Sequence, residues 1–203
     1  MKNLSLATLS VVLFVLTCSC SNAEQVKIVK DNPAFSPTQK YQIMVWNIKK
    51  AENYRSDIYK CQAKKKTTGW GFTNVKSVKN IQHADIILRD MVEELHSIVK
   101  KEYPKQTYLQ QAAIVSLIYN TGDLKGIKKS KFAKSLVKND IDNAVAAFKA
   151  WNKVKIKKGK YIVSKGLVKR RTYEAKLLNN TFTMNDYNKL KSEISQIYKE
   201  NRF

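Results

Sequence analysis

The sequence is poor in the residues that build metal centres, disulfide frameworks and many-stranded sheets. Its 203 residues include two His and three Cys, none at the spacing of a ligand set, so neither a metal nor an organic cofactor is implied. Cys18 and Cys20 belong to the N-terminal apolar segment, which leaves Cys61 as the one thiol outside it and no disulfide framework for the folded part. Only 6 Gly and 3 Pro are present, too few for the turns of a sandwich; helices joined by short turns are favoured instead. No repeat of fixed period is visible, which argues against a solenoid. Acidic residues are also scarce: 16 Asp and Glu against 38 Lys and Arg give a formal net charge of +22. What is plentiful is apolar surface: 43% hydrophobic residues, enough for one core or a core with a small lobe, and not the composition of a disordered chain.

A charge of that sign draws the chain towards polyanions: nucleic acid, anionic lipid or a bacterial envelope. The N-terminus discriminates among them. Met1-Lys2 precedes an apolar stretch from Leu4 to Leu16 and then Thr17-Cys18-Ser19-Cys20-Ser21-Asn22-Ala23, the pattern of an export signal too short for a comfortable membrane span. Export argues against a nucleic-acid partner and for the periplasm or cell envelope. Two processing routes are open. Ser21-Asn22-Ala23 has the small-x-small form of a signal-peptidase site, and Leu16-Thr17-Cys18-Ser19-Cys20 resembles a lipobox with Cys20 as the lipidated residue and a lipid anchor in the membrane. The chain therefore divides into an export segment over 1–23, a tether over 24–39 containing Pro33 and Pro37, and a folded domain over 40–203 that acts as a monomer.

Within that domain, Ile43, Met44, Trp46, Ile48 and Ala51 recur at helical steps from Tyr41 and predict a helix ending near Glu52. Between Tyr59 and Thr73 the pattern breaks into short polar and aromatic pieces around Gly69 and Gly71, suited to a small sheet with tight turns. Helical spacing returns at Ile87, Met91, Leu95 and Ile98, at Leu109, Ala113 and Leu117, and at Ile141, Val145 and Phe148, with Pro104 and Gly122 as punctuation. Val154 and Ile156, then Tyr161 and Val163, flank Lys157-Lys158-Gly159-Lys160 as in an exposed hairpin. A helix resumes from Val168 to Leu178, and an amphipathic C-terminal helix carries Tyr187, Leu190, Ile194 and Ile197.

The chemistry concentrates where the first helix meets the small sheet. A carboxylic acid at the end of an apolar helix, facing a short sheet across a cleft, can place a proton donor on one side of a glycosidic bond and a water-positioning group on the other. Glu52, Cys61 and Thr67, followed by Thr68-Gly69-Trp70-Gly71-Phe72-Thr73, resemble the signature of the phage-type lysozymes or endolysins of glycoside hydrolase family twenty-four. That signature is a Glu, eight residues, an Asp or Cys, five residues and a Thr, running into Thr-Ile-Gly-Tyr-Gly-His-Thr. The likeness continues through His83 to Asp90, Gln110 to Gly122, Ala147 to Trp151 and Gly166-Leu167-Val168-Lys169-Arg170-Arg171-Thr172-Tyr173-Glu174, which matches Gly-Leu-x-x-Arg-Arg-x-x-Glu. Phe72 and Asn53 depart from it, standing where the family usually has His and Gly.

The resemblance implies an α+β, mainly α fold of two lobes, a small β lobe and a helical lobe, with a glycan strand of peptidoglycan between them and the anionic envelope as the wider partner. It implies cleavage between N-acetylmuramic acid and N-acetylglucosamine with inversion. Glu52 would be the acid, and Cys61 and Thr67 would place water or stabilise the developing cation; Asn120, Gly122, Arg170 and Arg171 would contact glycan. Each of these residues also has an ordinary structural use: Cys61 as a small hydrophobe, Thr67 as a strand residue, Asn120 and Gly122 as a helix cap, and the two arginines as solvated charges. A wall-binding protein without turnover, and a cationic protein that disrupts membranes through its terminal helix, are the alternatives.

Overall fold

The computed structural model describes residues 34–60, 65–157 and 159–201. The export segment, with Cys20, most of the expected tether, and Cys61 lie outside the described residues.

Helix α1 spans Pro37–Glu52, four residues longer at its start than the Tyr41 start read from the apolar stripe. The Ser36 hydroxyl accepts from the Gln39 amide and Gln39 returns a bond to Ser36, while Pro37 sits in the first turn, where its missing N–H costs nothing. Phe35, 3% exposed, packs on Phe182 and Tyr187. The end of the expected tether is thus corrected: the proline that read as a linker signal starts a helix, and the residue two before it is core.

A short antiparallel pair follows, β1 (Arg55–Lys60) and β2 (Lys66–Gly69), with Tyr59 opposite Thr67. Then come α2 (Ile81–Glu102), α3 (Tyr108–Thr121), α4 (Leu124–Lys129), α5 (Lys131–Val137) and α6 (Ile141–Lys149). A second pair, β3 (Lys153–Lys157) and β4 (Lys160–Val163), leads into α7 (Lys165–Leu178) and α8 (Met184–Glu200). The architecture is α+β and mainly α. The short α4 and α5 were not legible in the lysine-rich sequence that forms them. On α2 the core stripe is Ile81, Ala84, Leu88, Val92 and Val99, one position beyond the expected series, with Ile87, Met91 and Leu95 flanking it.

The axis of the domain is α3. Every residue from Leu109 to Ile118 is buried, because α1, α2 and α7 surround it on all sides. Its start is a capping box between Thr107 and Gln110, and its end is Gly122 in the left-handed conformation (φ 66°). The C-terminal helix lies along α1: Trp46 stacks on Tyr187 at 5.7 Å, the Tyr187 hydroxyl donates to Gln42 at 2.6 Å, and Lys50 pairs with Glu193 at 2.6 Å. Tyr187, Leu190 and Ile194 are buried there, so the apolar face that suggested a membrane-active helix is spent on the protein's own core. Among the described residues no helix is long and apolar enough to cross a membrane.

Candidate active site

Glu52 is the last residue of α1, where the chain must turn sharply into β1. Asn53 makes that turn with φ 53°, a conformation that favours Gly and tolerates Asn, and its side chain accepts from the Tyr54 amide at 3.0 Å. This accounts for Asn where the family usually carries Gly. The Glu52 side chain is 19% exposed and has two different neighbours. One oxygen receives the Arg170 guanidinium at 2.5 Å. The other faces the backbone of Gly71, close enough that a Cβ there would stand 2.5 Å from it, and Gly71 has φ +89°. Only glycine meets both conditions, so the small-lobe turn closes directly over the carboxylate.

That turn is held from below. Thr68 and Phe72 exchange backbone hydrogen bonds at 3.1 and 2.8 Å across Gly69-Trp70-Gly71. The Tyr119 hydroxyl of α3 donates to the Trp70 carbonyl at 2.7 Å, and the Trp70 indole donates to Asp85 at 2.8 Å. Burial, and then the nearby Glu52 carboxylate, push the Tyr119 phenol well above its ordinary range, so it stays protonated as a donor. Asp85 also receives Lys49 at 2.7 Å and the hydroxyl of Tyr198 from α8. The ammonium of Lys49 lies about equally over the Trp70 and Tyr198 rings, 5.1 and 5.0 Å from their centroids. Phe72 is fully buried, a core side chain where the family has its His.

Behind Glu52, α7 presents three charges on its inner face at helical spacing. Arg170 reaches Glu174 at 3.0 Å through Nε and the Ser116 carbonyl and hydroxyl at 3.3 and 3.1 Å through Nη2. Glu174, wholly buried, also accepts from the Ser116 hydroxyl and from Arg171 at 2.5 Å. Arg171 continues to the Asn120 side chain at 2.5 Å and lies over the Phe148 ring at 5.4 Å. Two guanidiniums and two carboxylates balance, which is the condition for burying them. Burial lowers the Arg170 guanidinium, but the Glu174 and Glu52 carboxylates outweigh that and hold it above its ordinary value. Arg171, more weakly compensated, is pushed down to about 10 by burial.

The structure therefore brings together Glu52, Arg170, Arg171 and Asn120, and makes the two arginines buried parts of one network instead of solvated charges. Arg171, 1% exposed, has its Nη atoms committed to Glu174 and Asn120. Gly122 is exposed, and nothing lies within 4 Å of the Cβ it lacks. Thr67 is buried in β2, donates to the Lys65 carbonyl at 3.0 Å, and lines a groove of about 320 Å³ together with Ile58, Thr68, Thr73 and Val75; Glu52 is not among the lining residues. Sequence reasoning gave no role to Ser116, Tyr119 and Glu174. The last had a readable signal, a carboxylate three and four residues beyond paired arginines on a helix.

The sequence model of the phage lysozyme family matches residues 49–174. An endolysin of Acyrthosiphon pisum secondary endosymbiont phage 1 is 31% identical over 137 residues, covering 66% of this chain and 92% of that protein. Among solved structures, the endolysin from Escherichia coli O157:H7 phage FAHEc1 superposes with a TM-score of 0.59 at 24% identity, over 75% of this chain and 98% of that one. The muramidase domain of SpmX from Asticaccaulis excentricus gives 0.57 at 22%, over 68% and 95%. With a match across most of the folded part, and the paired arginines and Glu52 inside it, the chain belongs to the phage lysozyme family and is a glycoside hydrolase of the lysozyme type.

Proposed function

We propose that this lysozyme hydrolyses the β-1,4 bond between N-acetylmuramic acid and N-acetylglucosamine in peptidoglycan, with Glu52 as the general acid. The supporting observation is the placement of Glu52: one side chain, partly exposed, gripped by Arg170 and roofed by Gly71. In the reaction the Glu52 proton passes to the departing sugar oxygen as the glycosidic bond breaks, water supplies the hydroxyl that bonds to the anomeric carbon, and the proton that this water gives up passes to solvent, from which the Glu52 carboxylate is reprotonated. Arg170 stands where it stabilises the carboxylate left behind. Arg171 and Asn120 act through it as positioning residues, and Gly122 leaves the neighbouring rim open to glycan. Cys61 and Thr67 place the water or stabilise the oxocarbenium-like state, and the product is inverted.

Export through the segment over 1–23, with cleavage after Ala23 or lipid attachment at Cys20, delivers the enzyme to the envelope as a monomer. A Cys20→Ser change releases the protein from membranes if lipid is attached.

The test of bond specificity is digestion of purified sacculi, with mass spectrometry of borohydride-reduced products. Muramitol ends are the expected result. Glucosaminitol ends would overturn the bond assignment while leaving the chain a glycosidase.

A further inference from the structure

Five of the nine large hydrophobic side chains exposed among the described residues lie on one short stretch: Ile156, Tyr161, Ile162, Val163 and Val168. They cluster on the β3–β4 hairpin and the first turn of α7, and none of them lines the groove beside Thr67. Over residues 153–165 the sequence has six lysines and no carboxylate. The β3 strand alternates strictly as Lys153-Val154-Lys155-Ile156-Lys157. Alternation on a strand separates the two residue types onto opposite faces. The pairing sets Val154 opposite Ile162 on one face, while on the other Lys153 and Lys155 stand opposite Val163 and Tyr161, and Lys157 opposite Lys160, so aliphatic side chains and ammonium groups lie within one hairpin. Val154, Ile156, Ile162 and Val163 line a groove of about 400 Å³ that runs to Lys165 and Gly166. Lys153, Lys155, Lys157, Lys160 and Lys165 are exposed, and among the described residues none of them pairs with a carboxylate.

A wall polyanion would be bound by the lysines alone and gives no reason for isoleucine and valine to face water beside them. A glycan strand would call for aromatic platforms and hydrogen-bonding side chains, and apart from Tyr161 this face is aliphatic. The surface that matches both features is an anionic lipid leaflet, whose headgroups receive ammonium groups while the acyl boundary receives the aliphatic edge. We propose that the β3–β4 hairpin is a docking element for anionic membrane lipid, holding the domain at the leaflet next to its wall substrate. It does not depend on turnover, nor on how the N-terminal segment is processed.

Hydrogen exchange read by mass spectrometry on the full chain locates the contact by peptide, so insertion of the N-terminal segment does not confuse it. Phosphatidylglycerol-containing vesicles should slow exchange over 153–168, and pure phosphatidylcholine vesicles should leave it unchanged. The double variant Ile156→Ser, Ile162→Ser keeps every charge and replaces two exposed side chains. It should lose that protection by roughly tenfold or more in lipid concentration while hydrolysis of soluble glycan stays at the wild-type rate. A circular dichroism melt of the variant matching wild type shows that the hairpin change has not unfolded the domain. Equal protection by both lipids, protection unchanged in the double variant, or protection by lipid-free sacculi in place of vesicles would each overturn the proposal.

Discussion

At the scale of single residues, the site is a problem of burying charge. Glu174 has no exposed surface and answers both Arg170 and Arg171, so removing its carboxylate leaves two guanidiniums facing each other in the core. Glu174→Ala should cost about 3 to 5 kcal/mol in urea unfolding, well beyond an ordinary surface change. Gly71→Ala tests the roof. The added methyl meets the Glu52 carboxylate and the backbone sits at a positive φ, so the variant should fold yet lose roughly a hundredfold in sacculus hydrolysis. Unchanged turnover would mean the turn is free to retreat. The position of Glu52 at the end of α1, facing the small-sheet turn, was legible from the apolar stripe that ends there and the Gly69 and Gly71 that follow. The spacing of Glu174 from Arg170 and Arg171 was readable as an ion-pair pattern, but its burial was not, because only the fold turns that face of α7 inward.

At the scale of elements, α8 is the least expected contributor. It lies beyond the family match at residue 174, yet Tyr198 reaches Asp85 and so supports Trp70 in the turn that closes over Glu52. Leu190→Ala on its buried face should destabilise the domain by about 2 to 5 kcal/mol, measured as a shift of the urea midpoint. The cap of α8 gives a pH dependence. Burial raises the Asp186 carboxyl, but bonds from Lys176 and Thr183 outweigh it and hold it below its ordinary 3.8. A depressed folded value means the contribution is present above 3.8 and fades as pH falls through the folded value. Asp186→Asn should therefore cost about 1 kcal/mol at neutral pH, and the difference from wild type should vanish in strong acid. Helix existence was readable from periodicity throughout α1, α2, α3, α6, α7 and α8. The start of α1 was misread because proline marks both linkers and first helical turns, and only the capping partner Gln39 distinguishes them.

At the scale of the whole molecule, the formal charge of +22 governs encounter, and the cleft governs chemistry. Association with sacculi should weaken steeply between low and physiological salt as the lysines are screened, with the rate at saturating substrate little changed. Substituting Lys157, Lys158 and Lys160 by Gln should weaken association with anionic lipid vesicles and leave the limiting rate on sacculi little changed. Delivery of the proton by one carboxyl group is isolated by the variant Glu52→Gln, which changes no shape. Reducing ends released from purified sacculi by wild type and Glu52→Gln, with binding to the same sacculi measured in parallel, give the most direct reading. Release should be lower by orders of magnitude in the Gln variant, with binding retained. Hydrolysis at the wild-type rate in the Gln variant would contradict proton delivery by Glu52.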